Sequence, residues 1–266
     1  MPLGKSVATM ARKLPPTRFP DAVMVQYYRD LKKLTDELGK VTLSVFDEHI
    51  KPQIKLYQTR QDSRSYSVDG PLDIIRQAIE LMKGLSLGIF SSNKILNTAT
   101  RFVNSINVFN KKNMQDQGRV RGIDPTQNEP WLDEFMRTSI MENVSYISTI
   151  RDEYFPKVES IVYQGVKNGS SPKEIREQLV QRIGMSEKRA KFIARDQSGS
   201  ILGQMTAKRH KAMGAEKFKW STSKDERVRD SHEKLEGKVF EYANPPAVGL
   251  PGTDYNCRCV AMPVFE

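Results

Sequence analysis

Cysteine is almost missing from this chain: Cys257 and Cys259 are the two in 266 residues. That count excludes a disulfide framework and makes a reducing compartment the default expectation. No run of about 18 apolar residues occurs, which excludes a transmembrane helix. The first 20 residues are basic but carry no apolar stretch leading to a small-residue cleavage site, so no secretory signal is expected. There is no Gly-rich phosphate loop, no Gly-x-Ser-x-Gly and no His-Glu-x-x-His. Their absence removes the common signatures of nucleotide binding, serine hydrolysis and zinc proteolysis. Hydrophobic residues reach only 38%. That is below the usual share for a compact domain and suggests elongated or heavily solvated elements.

Positive charge, by contrast, is plentiful and concentrated. The formal net charge is +10, and between Arg182 and Lys219 ten basic residues face only Glu187, Asp196 and Glu216. Seven of the ten net charges therefore lie in 38 residues. Lys188, Arg189, Lys191, Arg195, Lys208, Arg209 and Lys211 form the candidate contact set on one helix. They suit nucleic-acid phosphates or an acidic protein surface. A merely solvated helix face is the plain alternative.

The length allows one large or two modest domains with a real core. Residues 1–20 hold four prolines and no apolar period. They read as an extended arm, disordered unless a partner captures it. Met24, Tyr27, Leu31, Leu34, Leu38, Val41 and Val45 then alternate steps of three and four. That is a heptad seam on a helix reaching about Ile50, with Pro52 as its stop and Gly39 as a local weakness. The seam pairs either with other helices of the chain or with another subunit. The polar stretch between Tyr57 and Asp69 reads as a loop. Asp69-Gly70-Pro71 starts a second helix, with Leu72, Ile75, Ile79, Met82 and Leu85 as its stripe. A third follows Ser91-Ser92-Asn93 with Ile95, Ala99, Phe102, Ile106 and Phe109 on one face, fading near Asn110 into a polar linker through Gln127.

The second half opens with a helix over about Glu129 to Glu153, and another runs past Pro156 to Lys167 before Asn168-Gly169. Ser171 and Glu174 form a capping box, with Pro172 at the first helical position. The helix it starts is expected to end at Gly184, and Ser186 to cap a further one reaching Ala212. Gly199 and Gly203, four apart, point to a close helix approach or to a tolerated flaw. Past Gly214 the texture turns to strand: Lys217 to Thr222 and Val239 to Tyr242 alternate, and Cys257 to Val264 closes the chain. The expected fold is mainly α, an elongated helical body with a small α+β cap. Its divisions are an arm (1–20), a helical region (21–128) and a C-terminal domain (129–266) ending in the cap (215–266).

The cap gathers the chemistry. Cys-x-Cys in a strand would put both thiols on one face. With His232 they make a donor set that suits zinc, with Asp225, His210 or water as the fourth ligand. The spacing is not the usual Cys-x₂₋₄-Cys, and two small buried hydrophobes beside a hydrogen-bonded histidine is the alternative. Asp225, Glu226, His232 and the cysteines could also act as acid, base and nucleophile.

Several segments follow one another in a recognisable order. They are Ile193-Ala194-Arg195-Asp196-Gln197, the run from Trp220 to Arg229, then His232, Leu235, Gly237, Pro251-Gly252 and Cys257-Arg258-Cys259. This order resembles the phage Mu protein F-like family of minor head (head morphogenesis) proteins, over roughly Trp131 to Val264. The resemblance implies a non-enzymatic minor capsid protein associated with the portal vertex and the capsid interior. Head assembly and DNA packaging or ejection are the implied tasks. It also implies metal binding at His232, Cys257 and Cys259. The implied partners are the portal protein, packaged double-stranded DNA, and capsid or scaffold proteins, without membrane insertion. The implied location is the virion, and the host cytoplasm during assembly. Two other classes stay open: a DNA-binding ejection protein, and a metal-dependent hydrolase or toxin-like enzyme.

Overall fold

The computed structural model describes residues 14–60 and 70–265. The polar stretch expected as a loop falls partly on 61–69, outside the described residues. The chain is mainly helical, with one small sheet. Its helices are α1 (Asp21–Val45), α2 (Lys51–Arg60), α3 (Pro71–Ile89), α4 (Ser92–Arg121), α5 (Leu132–Asp152), α6 (Phe155–Lys167), α7 (Pro172–Ala212) and the short α8 (Asp230–Glu233). The strands are β1 (Lys217–Ser221), β2 (Val239–Glu241) and β3 (Val260–Val264). No described helix is long and apolar enough to cross a membrane. Two compact units are present, and neither is continuous in sequence. One comprises Asp21–Ser105 and Leu132–Ser198. Among the described residues, the other comprises 14–20, Ile106–Trp131 and 199–265.

In the first unit the heptad seam is spent inside the chain. Tyr27, Leu31, Leu34, Leu38 and Val45 are buried, and α1 packs on α3. Each such side chain contributes roughly 1.5–3 kcal/mol on burial. Tyr27 stacks on Phe102 at 3.8 Å between ring centroids. Its hydroxyl donates to Asn143 at 2.9 Å. Gly39 has a reason as well: a Cβ there would lie 2.9 Å from Ile183 Cγ2, so any side chain would have to push Ile183 of α7 aside. Leu72 and Leu85, expected in the α3 stripe, are exposed; Ile75, Ala78, Ile79 and Met82 form the buried face.

Three expected helix ends are not ends. Pro52 lies inside helix, because residues Phe46–Ile50 form a π-helical turn and Lys51 N–H donates to Phe46 O. A proline lacks the N–H and crowds the carbonyl four residues before it. A widened turn just ahead of it is a way for a helix to continue through such a residue. The third helix does not fade at Asn110 but continues to Arg121. Its polar residues Asn110, Asn113 and Gln117 are buried with side-chain partners, a pattern that hydropathy alone reads as linker. Gly184 and Ser186 lie within one 41-residue helix, and the Ser186 hydroxyl donates back to Arg182 O. The capping box at its start is present: Ser171 N–H donates to Glu174 at 2.7 Å, and Glu174 N–H donates to Ser171 Oγ at 3.3 Å.

The second unit holds the cap, an antiparallel sheet in the order β2-β1-β3. Alternation along β1 turns Phe218 and Trp220 inward. They pack with Ala207, Tyr242, Cys257, Cys259 and Ala261. The arm belongs to this unit too. Asn113 takes Arg18 N–H on its oxygen and donates to Pro16 O, both at 3.1 Å. Gln117 donates to Pro15 O and Thr17 Oγ1, both at 3.0 Å. Over residues 14–20 the arm is thus a strap held by its own chain, not a free segment awaiting a partner.

Candidate metal centre

Backbone geometry brings His232 under Trp220. Trp220 N–H donates to Lys238 O and Gly237 N–H returns to Trp220 O, each at 2.9 Å. Gly237 makes that turn at φ 73°, where a side chain would strain the backbone. The segment carrying α8 is folded back on β1, and the His232 ring meets the Trp220 indole edge-on at 5.4 Å. The cysteines arrive from the other side, on the loop before β3. They are not in the strand itself, which begins at Val260. Period-two alternation is therefore not what aligns them.

The alignment comes from α7. A Cβ at Gly199 would sit 2.4 Å from Cys257 O and 2.7 Å from Gly252 O. One at Gly203 would sit 2.4 Å from Pro251 O. The two glycines are flat seats for the loop carbonyls, so the close approach is by the cap's own loop rather than by a second helix.

The result is a buried three-donor cluster. His232, Cys257 and Cys259 are 2%, 4% and 3% exposed, and their donor atoms lie within 4.8 Å of one another. His232 Nδ1 is 3.5 Å from Cys257 Sγ and 3.6 Å from Cys259 Sγ. In a tetrahedral site with the usual zinc–sulfur and zinc–nitrogen bond lengths, a sulfur and a nitrogen ligand stand about 3.6 Å apart. The donor chemistry fits as well, two thiols and an imidazole being a soft set.

Electrostatics splits the two thiols. The Cys259 thiol donates to Cys257, and the backbone N–H groups of Cys259 and Gly252 also point at that sulfur. Together they pull the Cys257 pKa down to about 6. Cys259 is pushed up by its hydrogen bond to Cys257 and by burial, with Trp220 opposing. The buried Trp220 indole N–H is directed at the Cys259 sulfur, a contact that a metal-bound thiolate would strengthen. The same Nδ1 faces both sulfurs almost equally, as a shared ligand would, whereas a base serving a single nucleophile would favour one.

The expected fourth ligands lie elsewhere. Asp225 is engaged by Arg258, which lowers the Asp225 pKa. His210 is fully buried between Tyr242 and Gln117, and burial lowers its pKa to about 3. Among the described residues no further His, Cys, Asp or Glu joins the cluster. The residue that sequence reasoning missed is Asp254, whose Oδ2 is 3.0 Å from His232 Nε2.

Residues 156–262 match the family model described as Phage Mu protein F like protein. The C-terminal half carries a Mu F-like segment. Every residue of the cluster lies inside it, as do both glycine seats; the strap and α4 lie outside it. The chain is 43% identical over 141 residues to an uncharacterized protein of Haemophilus influenzae, covering 53% of this chain and 32% of that one. It is 32% identical over 127 residues to an uncharacterized protein of Methanocaldococcus jannaschii, covering 44% and 18%. It is 28% identical over 131 residues to a protein of Enterococcus faecalis named NAD(+)–arginine ADP-ribosyltransferase EFV, covering 44% and 27%. The chain thus spans a third or less of the length of these relatives. No solved structure matches it significantly.

The basic set divides. Lys188 and Lys191 are exposed on the first unit's part of α7, with Arg189 and Arg195 half-buried beside them. The Arg189 guanidinium lies over Phe192 at 5.8 Å. In the second unit Lys208 and Lys211 are exposed, but Arg209 is not a contact residue. It is fully buried, paired with Glu129 at 2.7 Å and donating to the Asn107 and Asn110 side-chain oxygens, each at 2.7 Å. A guanidinium in that setting is committed to holding the chain together.

Proposed function

We propose that this chain is a non-enzymatic minor head protein, bound at the portal vertex inside the capsid and acting in head assembly beside packaged DNA. The Mu F-like match suggests a phage head morphogenesis protein. The observation that supports docking on a protein partner is the uncovered side of α3. Ile74, Leu81 and Leu85, seven and four residues apart, are 37%, 43% and 47% exposed. That spacing keeps them on one side of the helix. Gly84 and Gly88 next to them have nothing within 4 Å of a built Cβ. Scattered exposed leucines are ordinary, whereas a stripe on a single helix marks an interaction surface. In this reading the portal protein is the partner that covers it.

The reading includes zinc held by His232, Cys257 and Cys259 as a staple for the cap. Burial of all three supports a structural site over an exposed nucleophile or a hydrolytic centre. The exposed lysines of α7 suit phosphate contacts without base reading.

The test is incorporation into heads, with copurification against coexpressed portal protein. Wild-type chain should enter heads and copurify with portal, and L81D/L85D should lose both while keeping its helical circular dichroism. A folded double variant that enters heads normally would remove α3 from the account. Wild-type protein found along the packaged DNA, with no portal association, would favour an ejection protein instead.

A further inference from the structure

Resting on the zinc reading above, we propose that Asp254 is the positioning residue of the centre. It fixes His232 in the tautomer that offers Nδ1 to a metal, and a reciprocal pair of ion pairs holds it there.

A neutral imidazole has one donor nitrogen and one acceptor nitrogen. The Asp254 carboxylate only accepts, and it lies 3.0 Å from His232 Nε2. Nε2 must therefore carry the hydrogen, which leaves the Nδ1 lone pair facing the two sulfurs at 3.5 and 3.6 Å. Without the carboxylate the other tautomer competes, with its N–H aimed at the thiols. Carboxylate–histidine–metal lines of this kind orient the ring and raise its basicity.

The carboxylate is itself held by a matched pair of segments. Asp225 and Arg229 are four residues apart, and so are Asp254 and Arg258. The pairing is reciprocal: Asp225 with Arg258 and Arg229 with Asp254. Each segment gives one carboxylate and one guanidinium to the other. Arg229 also donates to Tyr255 O, and Asp254 Oδ1 accepts Tyr255 N–H at 2.7 Å. The carboxylate thus meets two donors besides His232: Arg229 on Oδ2 and the Tyr255 N–H on Oδ1. His232 follows Arg229 by three residues, and Cys257 follows Asp254 by three. The clamp therefore brings ligands from both segments together before any ion arrives.

The test uses the full-length protein and zinc or cobalt(II) alone. Affinity is read by chelator competition, and geometry by the cobalt absorption spectrum. Wild-type protein should take up one equivalent. D254A should bind about 10–100-fold more weakly, with an altered cobalt spectrum. R229Q removes one of the two ion pairs but leaves the carboxylate on His232, and should lose clearly less affinity than D254A while keeping the wild-type cobalt spectrum. Wild-type affinity and spectrum in D254A would overturn the role of Asp254 while leaving the metal site standing. Equal losses in R229Q and D254A would also overturn it, because loop anchoring rather than histidine orientation would then set affinity. A wild-type chain that takes up no metal would overturn the zinc reading itself.

Discussion

Gly199 shows how a single hydrogen atom positions a site. The Cys257 carbonyl occupies the space a side chain would need, at 2.4 Å from a built Cβ, and both partners are backbone. Gly199→Ala should therefore destabilise the protein by about 1–3 kcal/mol, as overpacking does. Gly184, in the same helix with nothing within 4 Å, should gain from the same change, by up to about 1 kcal/mol. Denaturant midpoints of the two variants should move in opposite directions. His210 illustrates a buried titrating group instead. Its two nitrogens are taken by Tyr242 Oη and Gln117 Oε1, and burial lowers its pKa from 6.5 to about 3. Below pH 6.5 the unfolded chain binds a proton that the folded chain refuses. Stability should then fall by about 1.4 kcal/mol per pH unit as pH drops from about 6.5 toward 3. His210→Gln should flatten that part of a stability–pH curve.

At the level of elements, the strap is where hydropathy misleads most. Residues 14–20 contain no periodic signal, and the stretch of α4 that receives them is written in amides. Polar side chains buried along a helix look like linker until the backbone that they serve is in place. Thr17 is 5% exposed, and Gln117, which holds it, also bonds His210. Removing residues 1–20 should cost about 1–3 kcal/mol, from several modest hydrogen bonds offset by the entropy of ordering the strap. Urea unfolding of the truncated chain reads this directly. An unchanged midpoint would mean that the strap adds nothing to the cap's unit. The α1 seam is the converse case: its three-four spacing predicted a packed helix face, and buried residues of α1 occupy most of it.

For the whole molecule, charge is the property most exposed to test. Lys188, Lys191, Lys208 and Lys211 are exposed, whereas Arg209 is buried against Glu129. Double-stranded DNA binding, measured against salt, should lose slope when the four lysines become Gln, because fewer counterions are released. Arg209→Gln should leave the slope unchanged and instead lower stability by about 3–5 kcal/mol, by stranding the buried Glu129. If the slope falls with Arg209 and not with the lysines, the assignment of contact and structural charges is reversed.

Periodicity, capping residues and punctuation carry local information, and local information was enough for most helix starts, the strands and the mainly helical class. Ser171 and Glu174 announce a helix start because their partners are three residues apart. Helix ends were less legible, since whether Pro52, Asn110 or Gly184 stops a helix depends on what packs around it. The metal-ligand types could be read from His232 and the Cys-x-Cys, but not the reason that they meet. That reason is long-range: Gly199 and Gly203 seat a loop some 50 residues away, and Asp225 and Arg229 cross-pair with Asp254 and Arg258. Asp254 itself carries no local signal beyond its four-residue spacing to Arg258, which has meaning only once the two segments lie side by side. Burial decides the rest, because one arginine in a basic run is withdrawn from solvent by a glutamate 80 residues earlier, and nothing in the composition of that run distinguishes it.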